Sequence, residues 1–413
     1  MNNQYVAPAG FRKWSLIFMI AGLLTLILGI IFLNPIAGSH GDNVNSTRFW
    51  AVLLQNSLFW LMLVNVSIFF IVICTLAMGG WQVAFRRVTE AIGSLVPVMG
   101  AITFIILLCI IFGNRADIYP WLDKTGVQHD KILRGKSGFL NPAVYLIASL
   151  VVIALWSFIG KKLNDLSRKT DETGPMDYDT SKKWLKTNMG WSAYYIVLYL
   201  LSVGSIMPWL WLMSIDPHWY STMYSWYTFA STFVAGIALI TIFVIYFKNQ
   251  GQLEYVTKEH IQDLGKFIFA FSIFWTYLWF DQFMLIWYGN IPEETVYFKV
   301  RLQGHYSGLF YLNLILNFVA PILIFMKRAT KRNYTIVTFM CIVIIFGHWI
   351  DFYQMVMPGT VKNNPHMSWF ELGIPLGFIG IIMWGVNKFA MKTSMTAHNN
   401  PFLKESIIHV VGP

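Results

Sequence analysis

Three ionisable residues lie inside long apolar runs, where a charged side chain is energetically costly and is usually retained for a function. Asp281 interrupts the run FSIFWTYLWFDQFMLIWYGN, and His348 and Asp351 interrupt the run IIFGHWIDFYQMVMPG. His348 and Asp351 are three residues apart, so they share one face of a helix. The imidazole can take a proton near neutral pH, and the carboxylate can orient the ring or pass the proton on. The pattern predicts proton-transfer chemistry at these residues.

Two other interpretations of these residues stay open. The three side chains would also be kept if they only joined helices through hydrogen bonds. Haem ligation is disfavoured, because haem b between helices usually takes two histidines at matching depth and His348 alone is deep. At the rise of a helix, Asp281 lies about 5 Å outward of the middle of its run, and His348 and Asp351 lie about 4 and 8 Å outward.

Further polar side chains would extend a path from these residues toward either surface. They are Tyr277, one turn from Asp281; His305 and Glu371, at the outer ends of apolar runs; Asn313 and Asn317, four residues apart; and Glu90, a candidate cytoplasmic proton entrance. Hydrogen bonding between helices is the competing interpretation of the two asparagines. For Glu90, which follows Arg86 and Arg87, the competing interpretation is a solvated helix end.

Composition places the whole chain in a membrane. Of 413 residues, 56% are hydrophobic and only 12% are charged, whereas soluble chains carry about a quarter charged residues. A soluble enzyme and a disordered chain are therefore both excluded. The net charge of +10 is typical of cytoplasmic loops in membrane proteins, so it does not indicate nucleic-acid binding.

The cysteines give no sign of a bound redox centre. Cys74, Cys109 and Cys341 each stand alone in an apolar run, without the spacing that iron–sulfur clusters or covalent haem require. We therefore expect this chain to bind no cofactor and no metal, and we assign it no catalytic residue.

Apolar runs long enough to cross a bilayer recur along the whole chain. Each run should be a helix, because lipid offers the backbone no hydrogen-bond partner and a helix satisfies its own backbone groups. The sequence thus predicts an all-α integral membrane protein of ten transmembrane helices, at residues 14–33, 49–73, 92–113, 141–160, 190–213, 222–247, 265–290, 306–326, 334–357 and 369–391. The longest connections are 114–140 and 161–189, and the second is the most polar stretch of the chain.

The spacing of the runs predicts two four-helix bundles with one peripheral helix at each end. The expected units are 1–48 (tail, first helix and outer loop), 49–213 (first bundle), 214–357 (second bundle) and 358–413 (last helix and tail). With the N-terminus in the cytoplasm, 21 of the 30 Lys and Arg residues fall on the cytoplasmic side. This bias predicts that both termini are cytoplasmic. The outer loop 114–140 carries five basic residues against that bias, so we expect a small ordered cap or a docking segment there.

Two segments of the chain carry a family resemblance. The stretch FWTYLWFDQFMLIWYGNIPEET at 274–295, followed by GHWIDFYQMVMPG at 347–359, resembles the ActF subunit of bacterial alternative complex III. That family belongs to the NrfD-like group of polysulfide-reductase membrane subunits. The element from Tyr288 to Thr295 is the most specific part, and the resemblance extends over all ten predicted spans.

The resemblance implies a place in a quinol:electron-acceptor oxidoreductase of the bacterial inner membrane, with a cytochrome c or a terminal oxidase as acceptor. Menaquinol is the expected quinol of the complex. The implied partners are a homologous ten-helix quinol-binding subunit, an iron–sulfur subunit, multihaem cytochrome c subunits and a terminal oxidase. Haem c and iron–sulfur clusters would belong to those partners, and the ActF-like chain would contribute a proton path.

Two alternatives of other classes remain. The chain could be an independent proton-coupled secondary transporter, although the prolines that interrupt its spans form no matched pair in two repeats. It could also be a scaffolding subunit, which would tolerate neutralisation of every acid named above.

Overall fold

The computed structural model describes residues 5–36, 43–362, 364 and 367–410. Within these residues the fold is all helical, and ten helices are long and apolar enough to cross a membrane. We label them α1 to α10 in chain order: Ala9–Leu33, Val44–Leu76, Gly80–Phe112, Pro142–Glu172, Tyr178–Ile215, Met223–Asn249, Lys258–Gly289, Ser307–Phe325, Tyr334–Thr360 and Trp369–Ala390. The predicted ten membrane helices are thus confirmed.

Several helices extend beyond their apolar runs. The prediction of a long connection at 161–189 is wrong for most of that segment, which is helical: α4 continues to Glu172 and α5 begins at Tyr178. Polar turns at a helix end can leave the hydrocarbon and still keep their backbone hydrogen bonds, so hydropathy alone underestimates helix length. Shorter helices lie between the spans, at Lys124–His129, Lys131–Lys136, Pro292–Gln303 and Arg328–Lys331, and a last one follows them at Leu403–Ile407.

Three of the ten helices are irregular. α3 begins with a 3₁₀ turn at Gly80–Phe85, continues as Arg86–Gly93 and restarts at Val96–Phe112. α5 widens into a π-helix at Ser202–Leu212, which contains a proline, and α8 does so at Ile315–Val319. A proline lacks the amide that the preceding turn needs, so a widened turn around it is expected.

Side chains that cap the helix ends fix where several spans begin. The Asn43 side chain accepts hydrogen bonds from the first amides of α2, and the Asn333 side chain does the same for α9. Ser368 and Glu371 form a capping box at the start of α10. These caps satisfy amides that would otherwise be unpaired near the membrane surface.

α2 and α6 form the centre of the molecule and are almost wholly buried. α2 packs against α3, α5, α6 and α9, and α6 packs against α7 and α9 as well. α8 contacts both α7 and α9. Helices α6 to α9 therefore surround the region in which His348 and Asp351 lie.

α1 is held to the rest of the protein by close packing along α10. Its buried residues are Ser15, Gly22 and Gly29, which are seven residues apart and so lie on one face. A Cβ at Gly22 would lie 2.3 Å from the Cα of Gly377, so the two backbones are in direct contact. Small residues commonly allow such approach between membrane helices. The antiparallel pairing places both ends of the chain at one surface, here called the terminal face, and we call the opposite surface the far face.

Gly22→Ile is expected to separate α1 from α10. Overpacking of this kind costs about 1–3 kcal/mol, and the effect should appear as a lower thermal unfolding midpoint in detergent. The matched control is Gly190→Ile in α5, where no atom lies within 4 Å of an added Cβ. Equal midpoints for the two variants would show that the glycine contact does not hold α1 in place.

The connection 114–140 packs against the far end of the helices. Asp130 contacts the His218 ring at 2.5 Å, and the Lys136 ammonium donates to the Pro217 carbonyl at 2.6 Å. The backbone amide of Leu133, together with the His218 ring, lowers the pKa of the Asp130 carboxyl. The segment thus closes over the α5–α6 connection as a small cap.

Candidate proton-transfer site

Asp351 is the centre of the most polar cluster inside the bundle. Its side chain is 0% exposed and accepts four hydrogen bonds from three neighbouring helices. Oδ1 accepts the Tyr227 hydroxyl and the Asn313 amide, the latter at 2.7 Å. Oδ2 accepts the Ser231 hydroxyl at 2.7 Å and the Trp275 indole N–H at 3.0 Å.

These four donors suit the ionised form of the Asp351 carboxyl. Each oxygen accepts two hydrogen bonds, and every donor is a neutral group. If Asp351 takes a proton, one neighbour must turn from donor to acceptor. The Tyr227 and Ser231 hydroxyls can do so, whereas the Trp275 indole and an amide NH₂ cannot. Proton uptake at Asp351 therefore requires a hydroxyl to reorient.

His348 extends this cluster by one side chain. Its ring is 0% exposed, and Nδ1 lies 3.1 Å from the Ser231 Oγ and 4.0 Å from Asp351 Oδ2. The edge of Trp275 contacts the ring, with the two centroids 5.4 Å apart. The other ring nitrogen, Nε2, has no hydrogen-bond partner among the described residues. Ser231 thus links the imidazole to the carboxylate.

A row of amides leads from Asp351 along α8. The Asn317 amide donates to Asn313 Oδ1 at 2.6 Å, and Asn313 in turn donates to Asp351. The row fits closely against α9, because a Cβ at Gly347 would lie 2.2 Å from Asn317 Oδ1. The two asparagines therefore position Asp351.

Polar groups continue from Asp351 toward the far face. A cavity of about 10 Å³ has Tyr227, Asn313, Gln354, Tyr297 and Arg301 in its wall, which is room for about one water molecule. The Arg301 guanidinium donates two hydrogen bonds to the backbone carbonyl of Gln354, at 3.0 and 2.8 Å. Its central carbon lies 3.4 Å from the centroid of the Tyr297 ring.

A second cavity lies beyond Arg301, on the side of the far face. It measures about 50 Å³, shares Tyr297 and Arg301 with the first cavity, and reaches Asp216 and Trp219 in the α5–α6 connection. Two adjoining cavities thus separate Asp351 from the far surface.

The other predicted far-side residues do not join this cluster. Asp281 is partly exposed on the outside of α7, and no hydrogen bond joins it to Tyr277 among the described residues. His305 is exposed near the start of α8. Glu371 is buried, pairs with Arg48 at 3.1 Å and caps α10, so its carboxylate is bonded within the chain and outside the Asp351 cluster. Tyr277 points outward on the same side of α7 as Asp281, with 59% of its surface exposed.

Glu90 lies in a buried ion cluster at the terminal face. It is 1% exposed and contacts Arg86 and Arg87, each at 2.8 Å, and Arg87 also contacts Asp171 at 2.5 Å. Glu90 is therefore not a solvated helix end. The short helix Arg86–Gly93 packs against α2 and α10, and this packing removes the carboxylate from water.

Polar side chains continue from this ion cluster into the bundle along α5. Both amide atoms of Asn188, the Ser192 hydroxyl and the Tyr199 hydroxyl are buried without a partner among the described residues. Between them, the Tyr195 hydroxyl donates to Asn65 Oδ1 at 2.5 Å. Buried polar atoms of this kind are usually satisfied by internal water. This row, which we call the α5 polar row, runs from the terminal face toward the middle of the membrane.

Aromatic rings separate the α5 polar row from the Asp351 cluster. Phe69 stacks on Tyr199 with ring centroids 4.3 Å apart. It also contacts Phe229 and Phe233 on α6, at 5.7 and 5.9 Å. Phe229 is two residues from both Tyr227 and Ser231, and Phe233 is two residues from Ser231, so both phenyl rings project from the opposite face of α6. The three phenyl rings and α6 itself therefore lie between the two polar regions.

Sequence reasoning missed four residues of the site, namely Tyr227, Ser231, Trp275 and Arg301. Tyr227 and Ser231 are four residues apart in an apolar run, so a search for polar pairs at helical spacing would have found them. Trp275 has no such signal, since tryptophan is common throughout this chain, which contains 18.

Comparison with known protein families gives no match, and comparison with curated proteins gives none either. Among the described residues, no group of three or more His, Cys, Asp or Glu side chains is placed to hold a metal ion.

Proposed function

We propose that this chain is a cofactor-free membrane subunit of a quinol:electron-acceptor oxidoreductase, in which the Asp351 cluster carries protons. The observation that supports this proposal is the environment of Asp351, a fully buried carboxylate with four neutral donors and an imidazole 4.0 Å away. Ionisable groups kept at such depth are functional by default. The quinol enters the proposal through the resemblance at 274–295 and 347–359.

Quinol oxidation by the complex would require this chain to accept protons. Oxidation of one quinol to quinone releases two protons and two electrons. The electrons pass to redox centres of partner subunits, iron–sulfur clusters and haem c, and on to a cytochrome c or a terminal oxidase. The protons need acceptors, and His348, Ser231 and Asp351 offer an imidazole, a hydroxyl and a carboxylate in contact order.

Release toward the far face would follow the two cavities. The Tyr227 or Ser231 hydroxyl reorients when Asp351 takes up a proton. Asp351 then passes that proton to water in the first cavity. Water in the second cavity would carry the proton on toward Asp216, and the Arg301 guanidinium, which lines both cavities, keeps an excess proton from resting beside it. The α5 polar row supports a second route from Glu90 and the terminal face, closed off from Asp351 by the phenyl rings.

The proposed setting is the inner membrane of a bacterium, with both termini cytoplasmic, so that the far face is periplasmic. The distribution of Lys and Arg residues supports this orientation. We further propose that α2–α5 and α6–α9 act as two four-helix bundles, with α1 and α10 peripheral. A homologous ten-helix subunit would bind the quinol, menaquinol in the first instance.

A proton-coupled secondary transporter is less well supported by the helix geometry. Transporters built from repeats break their helices at corresponding positions. Here the π-helical segments are in α5 and α8, which are the fourth helix of one proposed bundle and the third of the other. The two breaks therefore do not correspond.

Purification of the tagged chain from its native membrane in a gentle detergent tests the proposal. We expect co-migration with haem-containing polypeptides and oxidation of a menaquinol analogue by the purified material. A chain that migrates alone, without haem, and that drives solute uptake in proteoliposomes would contradict the proposal and support the transporter.

A further inference from the structure

Asp281 is a carboxylate without a partner on the outer surface of α7. It is partly exposed, and it forms no hydrogen bond or ion pair with any residue that the structure describes. The three buried acids differ, since Asp351, Glu90 and Glu371 are all bonded within the chain. Whatever satisfies Asp281 therefore comes from outside the residues that the structure describes.

The depth of Asp281 excludes bulk water as its partner. It lies eight residues before the far end of α7 at Gly289, or about 12 Å along the helix axis. α7 has 32 residues and is therefore about 48 Å long. The hydrocarbon layer is about 30 Å thick, so the ends of α7 extend beyond it. If the whole of α7 is centred in the bilayer, Asp281 lies about 11 Å from the midplane, and if the apolar run 265–290 is centred instead, it lies about 5 Å from the midplane. Both placements put Asp281 inside the hydrocarbon. An aspartate side chain is too short to reach the headgroups as Lys and Arg do.

The neighbours of Asp281 on the same helix face are those of an interface. Tyr277, Met284 and Tyr288 lie four residues before and three and seven residues after it, so they share its face. They are 59%, 41% and 84% exposed. Tyr and Met are enriched at protein–protein interfaces, where they supply large contact areas. We call this surface, Tyr277, Asp281, Met284 and Tyr288, the α7 face.

We propose that the α7 face is the docking surface for a transmembrane helix of another subunit, which presents an Arg or Lys side chain to Asp281. The negative charge selects a cation, and the low dielectric makes an ion pair within the membrane strong. A second copy of this chain docked by the same face would place carboxylate against carboxylate, so a self-dimer is disfavoured. The proposal does not depend on whether the partner carries a redox centre.

A photo-crosslinking residue at Met284 identifies what covers the α7 face without disturbing Asp281. In native membranes we expect capture of a membrane polypeptide whose crosslinked span contains an Arg or Lys. Capture of lipid alone, of a second copy of this chain, or of a span without a basic residue would overturn the proposal.

Charge variants then test the ion pair itself. Asp281→Lys is expected to reduce co-purification of that partner at least tenfold, while Asp281→Glu retains it. Replacing the partner's basic residue with Glu should restore association with the Asp281→Lys chain. Undiminished co-purification of Asp281→Lys would contradict the proposal, and so would a failed restoration when the lone variant unfolds at the same temperature as the lone wild-type chain.

Discussion

Replacement of Asp351 by asparagine is expected to lower quinol oxidation and proton release by the intact complex about 100-fold, within the range that one acid–base group contributes. Asparagine keeps the size of the side chain but cannot ionise. Its amide NH₂ would also face two donors, either Tyr227 and Asn313 or Ser231 and Trp275. The measurement is the steady-state oxidation rate together with the number of protons released per quinol.

Asp165→Asn provides the matched control for this prediction. It is the same chemical change at an exposed position on α4, outside both the Asp351 cluster and the α7 face. Turnover per assembled complex should be within about twofold of wild type, well inside the effect of removing an acid–base group. Wild-type turnover and proton release in Asp351→Asn would assign Asp351 a purely structural role.

Glu90→Gln is expected to destabilise the protein by about 3–5 kcal/mol, the cost of removing one partner from a buried ion pair. The reason is that Arg86 and Arg87 would keep their charges without the carboxylate that contacts both at 2.8 Å. Thermal unfolding in detergent measures the effect.

The control for Glu90 is Glu172→Gln, which changes an exposed glutamate at the terminal end of α4. Surface changes of this kind alter stability by at most about 0.5 kcal/mol. A Glu90 variant as stable as the Glu172 variant would show that the arginines are hydrated, and Glu90 would then be an accessible proton entrance.

The sequence predicts features that depend on one helix at a time. Ten apolar runs give ten helices, and the i, i+3 spacing of His348 and Asp351 places both on one face. Features that depend on how helices meet were not predictable. Tyr227 and Trp275 are 124 and 76 residues from Asp351 along the chain, and nothing in the spacing of either residue specifies that contact.

Asp281 and Glu90 show that the sequence also does not determine the direction in which a side chain points. Their flanking residues indicate that both lie near or within the membrane, but the direction of each side chain depends on the rotation of its helix. α7 turns Asp281 outward, away from the cluster to which we assigned it. The short helix before Gly93 turns Glu90 inward, onto two arginines. Helix rotation is fixed by packing, so it becomes known only with the structure.

Infrared difference spectroscopy of the intact complex tests the central claim most directly, because the carbonyl stretch of a protonated carboxyl reports proton uptake by an acid in the protein interior. On addition of quinol, we predict such a signal in the wild type and in Asp165→Asn, and its loss in Asp351→Asn. A signal that persists in Asp351→Asn, or a wild-type complex that turns over without one, would contradict the assignment of Asp351 as the proton acceptor.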